Sequence, residues 1–489
     1  MRNVLVLQSK PSLLLVIMLC SVITRAQSIT DSVFILPDTA RSFTLENFYF
    51  LVLENHPIAK QTALLSDFAR QEIRLARGNF DPKVEMQYLT KNFKGIEYYR
   101  LFDGQIKFPT ATPVEPKVGI ERNKGQFLNR EHFIGNEYDF QQLYIGVAMP
   151  LGRGLITDER RIALKQAELF QGLTEAEQIK IINKLLLEAA KDYWGWYNAY
   201  YHYRLLNRAV VVAQEIFRRT KINAEQGEAA VIDTIQAKIT WQQRLIEQQE
   251  ALLDFQNTGI VISTYLWDSL GNPLALLPQM APVLEKDLLT MSRQELNALA
   301  EQARTNHPEL RKMSIKIMQL DNERRLAAEF VKPRLDINYS MLNQPFNPWF
   351  ETTTFDLSDN YKFGLDFSFP LFIRKERAKL AQTRIKISGT EYERTLTERQ
   401  IINDINATYN AITNTAAILV NLADMVNNYE RLLRAELLNL ENGESDLFKI
   451  NIQQEKLIES QTKLVKLLSE YEKQKAMLYW AAGIRNLGL

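Results

Sequence analysis

Four segments of the chain alternate apolar and polar residues with a period of two. In the clearest one, Leu143, Ile145 and Val147 occupy one side and Gln142 and Tyr144 the other. This period places successive side chains on opposite faces of a β-strand. The pattern therefore predicts four strands, which cover about 82–92, 139–151, 333–343 and 360–371.

Two interpretations of these strands remain open. An antiparallel sheet of a soluble protein packs one face on a core and leaves the other in water. A transmembrane β-barrel also alternates, with its apolar side facing lipid and strands of about ten residues. The export signal described below favours the barrel.

Two far longer segments have helical periodicity and contain no proline, about 158–224 and 375–440. Apolar residues recur there at alternating spacings of three and four, which is the pattern of a coiled-coil seam. In the second segment these residues are Ile402, Ile405, Tyr409, Ile412, Ala416, Leu419, Ala423 and Val426. A helix of about 66 residues is roughly 100 Å long. A conduit or a rod needs such a helix, and a globular domain does not.

Glycine turns follow both long helices and predict helical hairpins. Gly227 and Gly443 are typical residues for the C-terminal end of a helix. Return helices are predicted at about 230–256 and 446–478, and shorter helices at 57–78 and 308–330 precede the strands.

The order of these elements occurs twice. Asn55-His56-Pro57 recurs as Asn306-His307-Pro308, and a distance of 66 residues separates both Arg161 from Gly227 and Arg377 from Gly443. The chain therefore divides into a first repeat (27–257), a linker (258–291) and a second repeat (292–489). A period this long excludes a solenoid and indicates a two-fold duplication.

One segment breaks the symmetry. Residues 94–137 separate two strands of the first repeat and are much longer than the corresponding segment near 343–360. We interpret them as a loop with an extra hairpin that lies outside the sheet or extends it.

The first 26 residues are predicted to be a secretory signal peptide. Arg2 and Lys10 precede an apolar run, and Thr24-Arg25-Ala26 suits cleavage. Lipidation of Cys20 is an alternative, although the preceding Leu19 is larger than lipoprotein processing prefers. No later run of 18 apolar residues exists, so insertion into a membrane requires a closed barrel.

Composition excludes several classes of function. The 489 residues carry a net charge of +1, so nothing indicates a nucleic-acid partner. One cysteine and four histidines exclude a multi-cysteine zinc site or a disulfide framework. No nucleophile elbow, phosphate loop or zinc-protease motif is present, so we expect neither a catalytic site nor a metal or other cofactor.

The repeated order of elements resembles the TolC-like outer membrane factor family, the trimeric efflux and secretion ducts of Gram-negative envelopes. The resemblance rests on the paired Asn-His-Pro helix starts, the strand–strand–long-helix order and the Gly-Glu hairpin tips. It implies an α + β membrane protein in which each chain contributes four or more antiparallel strands to a shared trimeric β-barrel. It also implies that the helical hairpins continue as an α-barrel into the periplasm. The implied partners are two further copies of the chain, outer membrane lipid, a periplasmic adaptor and an inner-membrane pump.

The resemblance also implies a functional site at the hairpin tips. The candidate aperture residues are Glu225, Glu228, Asp233, Glu441, Glu444, Asp446 and Lys449. The candidate adaptor-docking residues are Gly227, Ala229, Gly443 and Ser445. Lys449 stands where well-known members of the family carry an acid, and it could pair with Asp233. The alternative is that these charges are solvent-exposed helix ends, with acids favoured by the helix dipole.

The predicted function is a passive trimeric exit duct across the outer membrane and periplasm, in an efflux or type I secretion system. Small-molecule and protein cargo are not distinguished by this sequence. The competing hypothesis is a periplasmic or secreted coiled-coil scaffold without a pore.

Overall fold

The computed structural model describes residues 41–135, 140–227, 230–284, 291–343, 360–442 and 444–484. The predicted signal peptide and Cys20 lie outside these ranges. Within them, the helices are α1 (Leu45–Asn55), α2 (Pro57–Arg77), α3 (Glu159–Glu225), α4 (Val231–Ser263), α5 (Arg293–Asn306), α6 (Pro308–Glu329), α7 (Arg374–Glu441) and α8 (Leu447–Ala481). The strands are β1 (Arg41–Phe43), β2 (Lys83–Phe93), β3 (Ile96–Lys107), β4 (Glu115–Lys124), β5 (Gln141–Pro150), β6 (Met280–Pro282), β7 (Arg334–Asn343) and β8 (Tyr361–Ser368).

The main sheet of the described chain has six antiparallel strands in the order β2-β3-β4-β5-β7-β8. The hairpin β3–β4 comes from the long segment 94–137. It extends the sheet, because it inserts between β2 and β5 and hydrogen-bonds to both. The antiparallel α + β fold predicted from the sequence is confirmed. The alternation predicted four strands, and the described residues form six in this sheet because the hairpin β3–β4 joins it.

The two faces of the sheet differ in chemistry. The strand register places one apolar set on a single face: Val84, Met86, Ile106, Val118, Ile120, Ile145, Val147, Ile337, Tyr339, Phe363 and Leu365. The opposite face carries charged and polar residues such as Glu85, Asp103, Gln105, Glu121 and Asp366. Phe363 and Leu365 are more than half exposed, so the apolar face of the chain is not covered by a core.

The described helices form a row of four columns, which are α2 with α4, then α3, then α6 with α8, and finally α7. α2 and α4 contact α3, as do α6 and α8, and α4 also touches α8. The same two helices, α6 and α8, also contact α7, which is the last column. Because α3 has 67 residues and α7 has 68, each is roughly 100 Å long. Two shorter helices run beside each long helix, with 21 and 33 residues for α2 and α4 and 22 and 35 residues for α6 and α8.

The second helix of each repeat starts at a histidine, His56 in the first repeat and His307 in the second. The Nδ1 atom of His56 accepts a hydrogen bond from the backbone N–H of Ile58 at 3.2 Å, and that of His307 accepts one from Glu309 at the same distance. Burial lowers the pKa of both imidazoles, which favours the neutral form that can accept this bond. These histidines are therefore helix caps, as the position before Pro57 and Pro308 predicts.

The helices α1 and α5, which end at these histidines, were not predicted. They are 11 and 14 residues long. α5 has a complete capping box between Ser292 and Glu295, a signal that the sequence contains. α1 packs through Phe48 and Val52, which are fully buried.

An aromatic core joins the two repeats at the level of α1. The Tyr193 hydroxyl donates to the carbonyl of Phe43 at 2.6 Å and accepts from the N–H of Val283 at 3.2 Å. β1 and β6 pair in parallel beside it. Tyr409, the counterpart of Tyr193, donates to the carbonyl of Met291 at 3.1 Å. Each long helix thus holds the segment that leads into the first helix of its repeat.

A glycine just after the end of α8 cannot be replaced without strain. Gly483 has a φ of +72°, and a Cβ atom there would lie 2.7 Å from both His307 Cδ2 and Pro308 Cδ. We expect Gly483→Ala to destabilise the protein by about 2 kcal/mol or more, because strain and overlap add. Thermal unfolding followed by circular dichroism measures the loss. Gly195→Ala is the control, since a Cβ atom at Gly195 would meet no other atom within 4 Å; equal melting of the two variants would contradict the prediction.

Candidate functional site

The first hairpin tip lies between α3 and α4. The N–H of Gly227 donates to the carbonyl of Ala224 at 3.1 Å, and the φ of Gly227 is +81°. This left-handed conformation ends the helix at little cost for glycine. Glu225 is the last residue of α3, whereas Glu228 and Ala229 lie outside the described residues.

The second tip is capped on both sides. The N–H of Glu444 donates to the carbonyl of Asn439 at 2.8 Å, which closes the end of α7. The carboxylate of Asp446 accepts the backbone N–H of Lys449 at 2.9 Å and starts α8. Ser445 donates its hydroxyl to the Glu436 carboxylate. Glu441 is the last residue of α7, and Gly443 lies outside the described residues.

The two tips differ at equivalent positions. Ala230 precedes α4 and makes no side-chain cap, whereas Asp446 caps α8. Both residues stand three places after the tip glycine. The start of α4 therefore leaves more backbone N–H groups for water than the start of α8.

Charges at the tips pair locally in the described chain. Lys449 lies 3.8 Å from Asp446, and Lys221 lies 3.9 Å from Glu225. The predicted pair between Asp233 and Lys449 is not formed within one chain, because the Lys449 ammonium lies on its own helix cap instead. All four paired groups are more than half exposed, so these contacts contribute little to stability.

A stronger charge cluster lies about three turns before the first tip. Arg218 donates to Glu215 through Nε at 2.9 Å and through Nη2 at 2.7 Å, and Arg219 donates to it at 2.9 Å. Hydrogen bonds from Arg218 and then Arg219 lower the pKa of the Glu215 carboxyl to about 2. Glu215 is thus ionised at any physiological pH.

An apolar groove runs between the starts of α4 and α8. Ile232, Ile235 and Ile239 form one wall, and Phe448 and Ile452 form the other. The groove has a volume of about 560 Å³. Phe448 is 63% exposed and Ile232 is 70% exposed, so the chain itself does not fill it. The sequence carries this signal in apolar residues at helical spacing, but the spacing alone does not show that two helices bring them together.

The described residues lack two features. They contain no cluster of three or more histidine, cysteine or acidic side chains that could hold a metal ion. No described helix is both long and apolar enough to cross a membrane.

Residues 299–484 match the family model "Outer membrane efflux protein". The matched residues make up most of the second repeat. The predicted resemblance to TolC-like outer membrane factors and the predicted location in the outer membrane are therefore confirmed. The family consists of channel proteins rather than enzymes. No curated protein matches the chain significantly.

Solved outer membrane channels share the fold across nearly the whole chain. The CmeC channel of Campylobacter jejuni is 13% identical, with a TM-score of 0.61 over 90% of this chain and 85% of that one. VceC of Vibrio cholerae is 13% identical, with a TM-score of 0.60 over 90% and 96%. The open state of the Neisseria gonorrhoeae MtrE channel is 13% identical, with a TM-score of 0.61 over 90% and 89%. At such identity the likeness concerns the fold.

The unequal caps of the two tips predict unequal fraying. We expect Asp446→Ala to cost about 1 kcal/mol at the start of α8, because it removes an N-cap. Ala230→Asp should stabilise the start of α4 for the same reason. Amide hydrogen exchange at Phe448–Ile450 and at Ile232–Thr234 measures both changes. The hypothesis fails if exchange slows in the first variant or quickens in the second.

Proposed function

We propose that three copies of this chain form a passive exit duct of a tripartite efflux or type I secretion system. The observation that carries this proposal is the pair of edges that have no partner within the described residues. A row of helices and a sheet with two open edges can close only by adding further copies or other elements.

One helical edge is the column of α2 and α4. Apolar residues at a spacing of seven run along α4 as Ile239, Ile246, Leu253 and Ile260, and each is at least half exposed. Leu64, Phe68 and Leu75 continue this apolar edge on α2. A seven-residue repeat of apolar residues on a helix surface is the seam of a coiled coil. Within the described residues, nothing covers it.

The opposite helical edge is α7. It exposes Ile385, Tyr392, Leu396 and Val420. The two edges are different surfaces, so contact between copies is heterologous, and repeating it around an axis generates a ring. Three chains of four columns give about twelve helices around one bore, which is the arrangement that the family resemblance implies.

The sheet also has two edges without a partner strand among the described residues. β2 pairs only with β3, and β8 pairs only with β7, among the described strands. Pairing of β8 with β2 of a neighbouring chain satisfies both edges, which lipid requires of any spanning sheet. The apolar face then meets lipid and the polar face lines the lumen. Strands of 8 to 12 residues suit this task.

We assign the tips to the periplasmic end. The candidate aperture acids and Lys449 would be repeated three times around the mouth, where rings of charge can select and gate. MtrE, whose solved structure is described as an open state, supports a mouth that changes conformation. A periplasmic adaptor hairpin would dock at Gly227, Ala229, Gly443 and Ser445, next to the apolar groove. Burial of Phe448 and its neighbours would then supply the binding energy.

The alternative, a coiled-coil scaffold without a pore, explains the long helices equally well. It does not explain an apolar sheet face with more than half of Phe363 and Leu365 exposed. Conductance separates the two hypotheses.

The first functional prediction concerns the α4 edge. We expect the purified protein to be a trimer that conducts ions in a planar bilayer. Ile246→Glu with Leu253→Glu should give monomers without conductance, because two acids would be buried in the seam. Light scattering in detergent and single-channel recording measure the two properties. Leu270→Glu is the control, since Leu270 is 87% exposed and lies in the segment between the repeats. A monomeric, non-conducting wild type would support the scaffold.

The second prediction concerns adaptor docking. Phe448→Glu should leave trimer assembly and bilayer conductance unchanged but abolish drug or protein export in cells, because it places a charge in the groove. Glu459→Gln, on the exposed surface of the same helix, is the control. Normal export by the Phe448 variant would rule out the groove as a docking surface.

A further inference from the structure

A row of lysines crosses the polar face of the sheet. The strand register pairs Lys83 with Lys107, and Lys107 with Lys117. The same row continues through Gly146 and Ser340 to Lys362. Four of its six members are lysines, the other two are small, and none is acidic. We call these four residues the lysine row.

The lysine row lies on the face opposite the apolar residues. The next residues along the strands, Val84, Ile106 and Val118, point to the other side because side chains alternate. In a closed barrel the apolar face meets lipid and the opposite face is turned to the lumen. In a closed barrel the lysine row therefore faces the water-filled lumen.

Two of the lysines have acidic partners from other rows of the same face. Lys107 lies 2.7 Å from Glu85, and Lys362 lies 3.4 Å from Glu121. Among the described residues, no carboxylate pairs with Lys83 or Lys117. The Lys117 ammonium lies 6.0 Å from the centre of the Tyr144 ring instead. The row thus keeps an excess of positive charge.

Asp103, an acid on the same face, lies two rows along the strands from the lysine row and is hydrogen-bonded to a tyrosine. The Tyr144 hydroxyl donates to the Asp103 carboxylate at 2.8 Å. Tyr144 reaches Asp103 across β4 because Gly119 leaves the space, where a Cβ atom would overlap the ring. Asp103 is four residues along β3 from Lys107, a distance of about 13 Å. Acids such as Glu85 and Glu121 thus border the lysine row, but none stands within it.

We propose that the lysine row is an anion-binding stripe that makes this pore favour anionic solutes carrying carboxylate or phosphate groups. The proposal rests on the proposed function, because only a closed sheet has a lumen. Neighbouring strands are about 4.8 Å apart, so several ammonium groups can act on one passing anion. Lys83 and Lys117, which form no ion pair within the described chain, determine the selectivity. Three chains supply twelve lysines to the lumen, four from each.

The decisive experiment measures the reversal potential of the purified trimer in a planar bilayer under a potassium chloride gradient. We expect chloride to permeate better than potassium. Lys83→Gln with Lys117→Gln should lower the chloride-to-potassium permeability ratio by about threefold at 0.1 M salt and by less at 1 M, where charges are screened within about 3 Å. Lys83→Arg with Lys117→Arg should restore it. Lys60→Gln is the control, since the Lys60 ammonium donates to the Ser269 carbonyl on the helical part.

A second measurement uses inorganic tripolyphosphate. It is added to the side of the bilayer opposite the helices, where the turn between β2 and β3 lies. It should block the wild-type current at concentrations about tenfold lower than those that block the glutamine variant. A wild-type conductance without chloride preference would contradict the proposed role of the lysine row. So would a glutamine variant with the same chloride preference and the same block. Either result would be compatible with the proposed duct. Absence of any conductance would overturn both.

Discussion

The open edges of the single chain are the constraint on which the rest of this structure depends. The described part of each chain is a strip, four columns of helices wide at one end and six strands wide at the other, and both sides of the strip end in apolar or unpaired surfaces. The apolar seams along α4 and α7 are buried only against a neighbour, and the backbone groups that β2 and β8 leave unpaired among the described strands need one in lipid. The proposed ring satisfies all of them with one repeated contact. The bore is then a consequence of closing the strip rather than a separate feature.

Duplication explains how one strip can be both long and regular. Tyr193 and Tyr409 occupy equivalent positions and hold equivalent segments through a hydrogen bond to a backbone carbonyl. His56 and His307 cap equivalent helices, and the long helices differ by one residue. The repeats differ in the sheet and at the hairpin tips. The hairpin β3–β4 occurs only in the first repeat among the described residues, and Asp446 caps α8 where Ala230 leaves α4 uncapped.

Much of this architecture could be predicted because it depends on local periodicity. The long helices follow from seams such as that of Ile405, Ile412 and Leu419, and all three residues are buried. The four strands follow from alternation, and the helix starts follow from proline after histidine. The helix α1 was missed because its burial depends on Tyr193 and other aromatic residues about 140 positions away. The groove at Phe448 was missed because it forms only where α8 approaches α4.

The sequence by itself determined the length of the helices, the two faces of the strands and the position of the hairpin tips, because each depends on residues close together in the chain. Only the tertiary structure decided that the hairpin β3–β4 joins the sheet between β2 and β5. Only the register of all six strands brought Lys83, Lys107, Lys117 and Lys362 into one row. These residues span 280 positions of sequence, and hydrogen bonds between strands, which carry no local signal, fix their alignment.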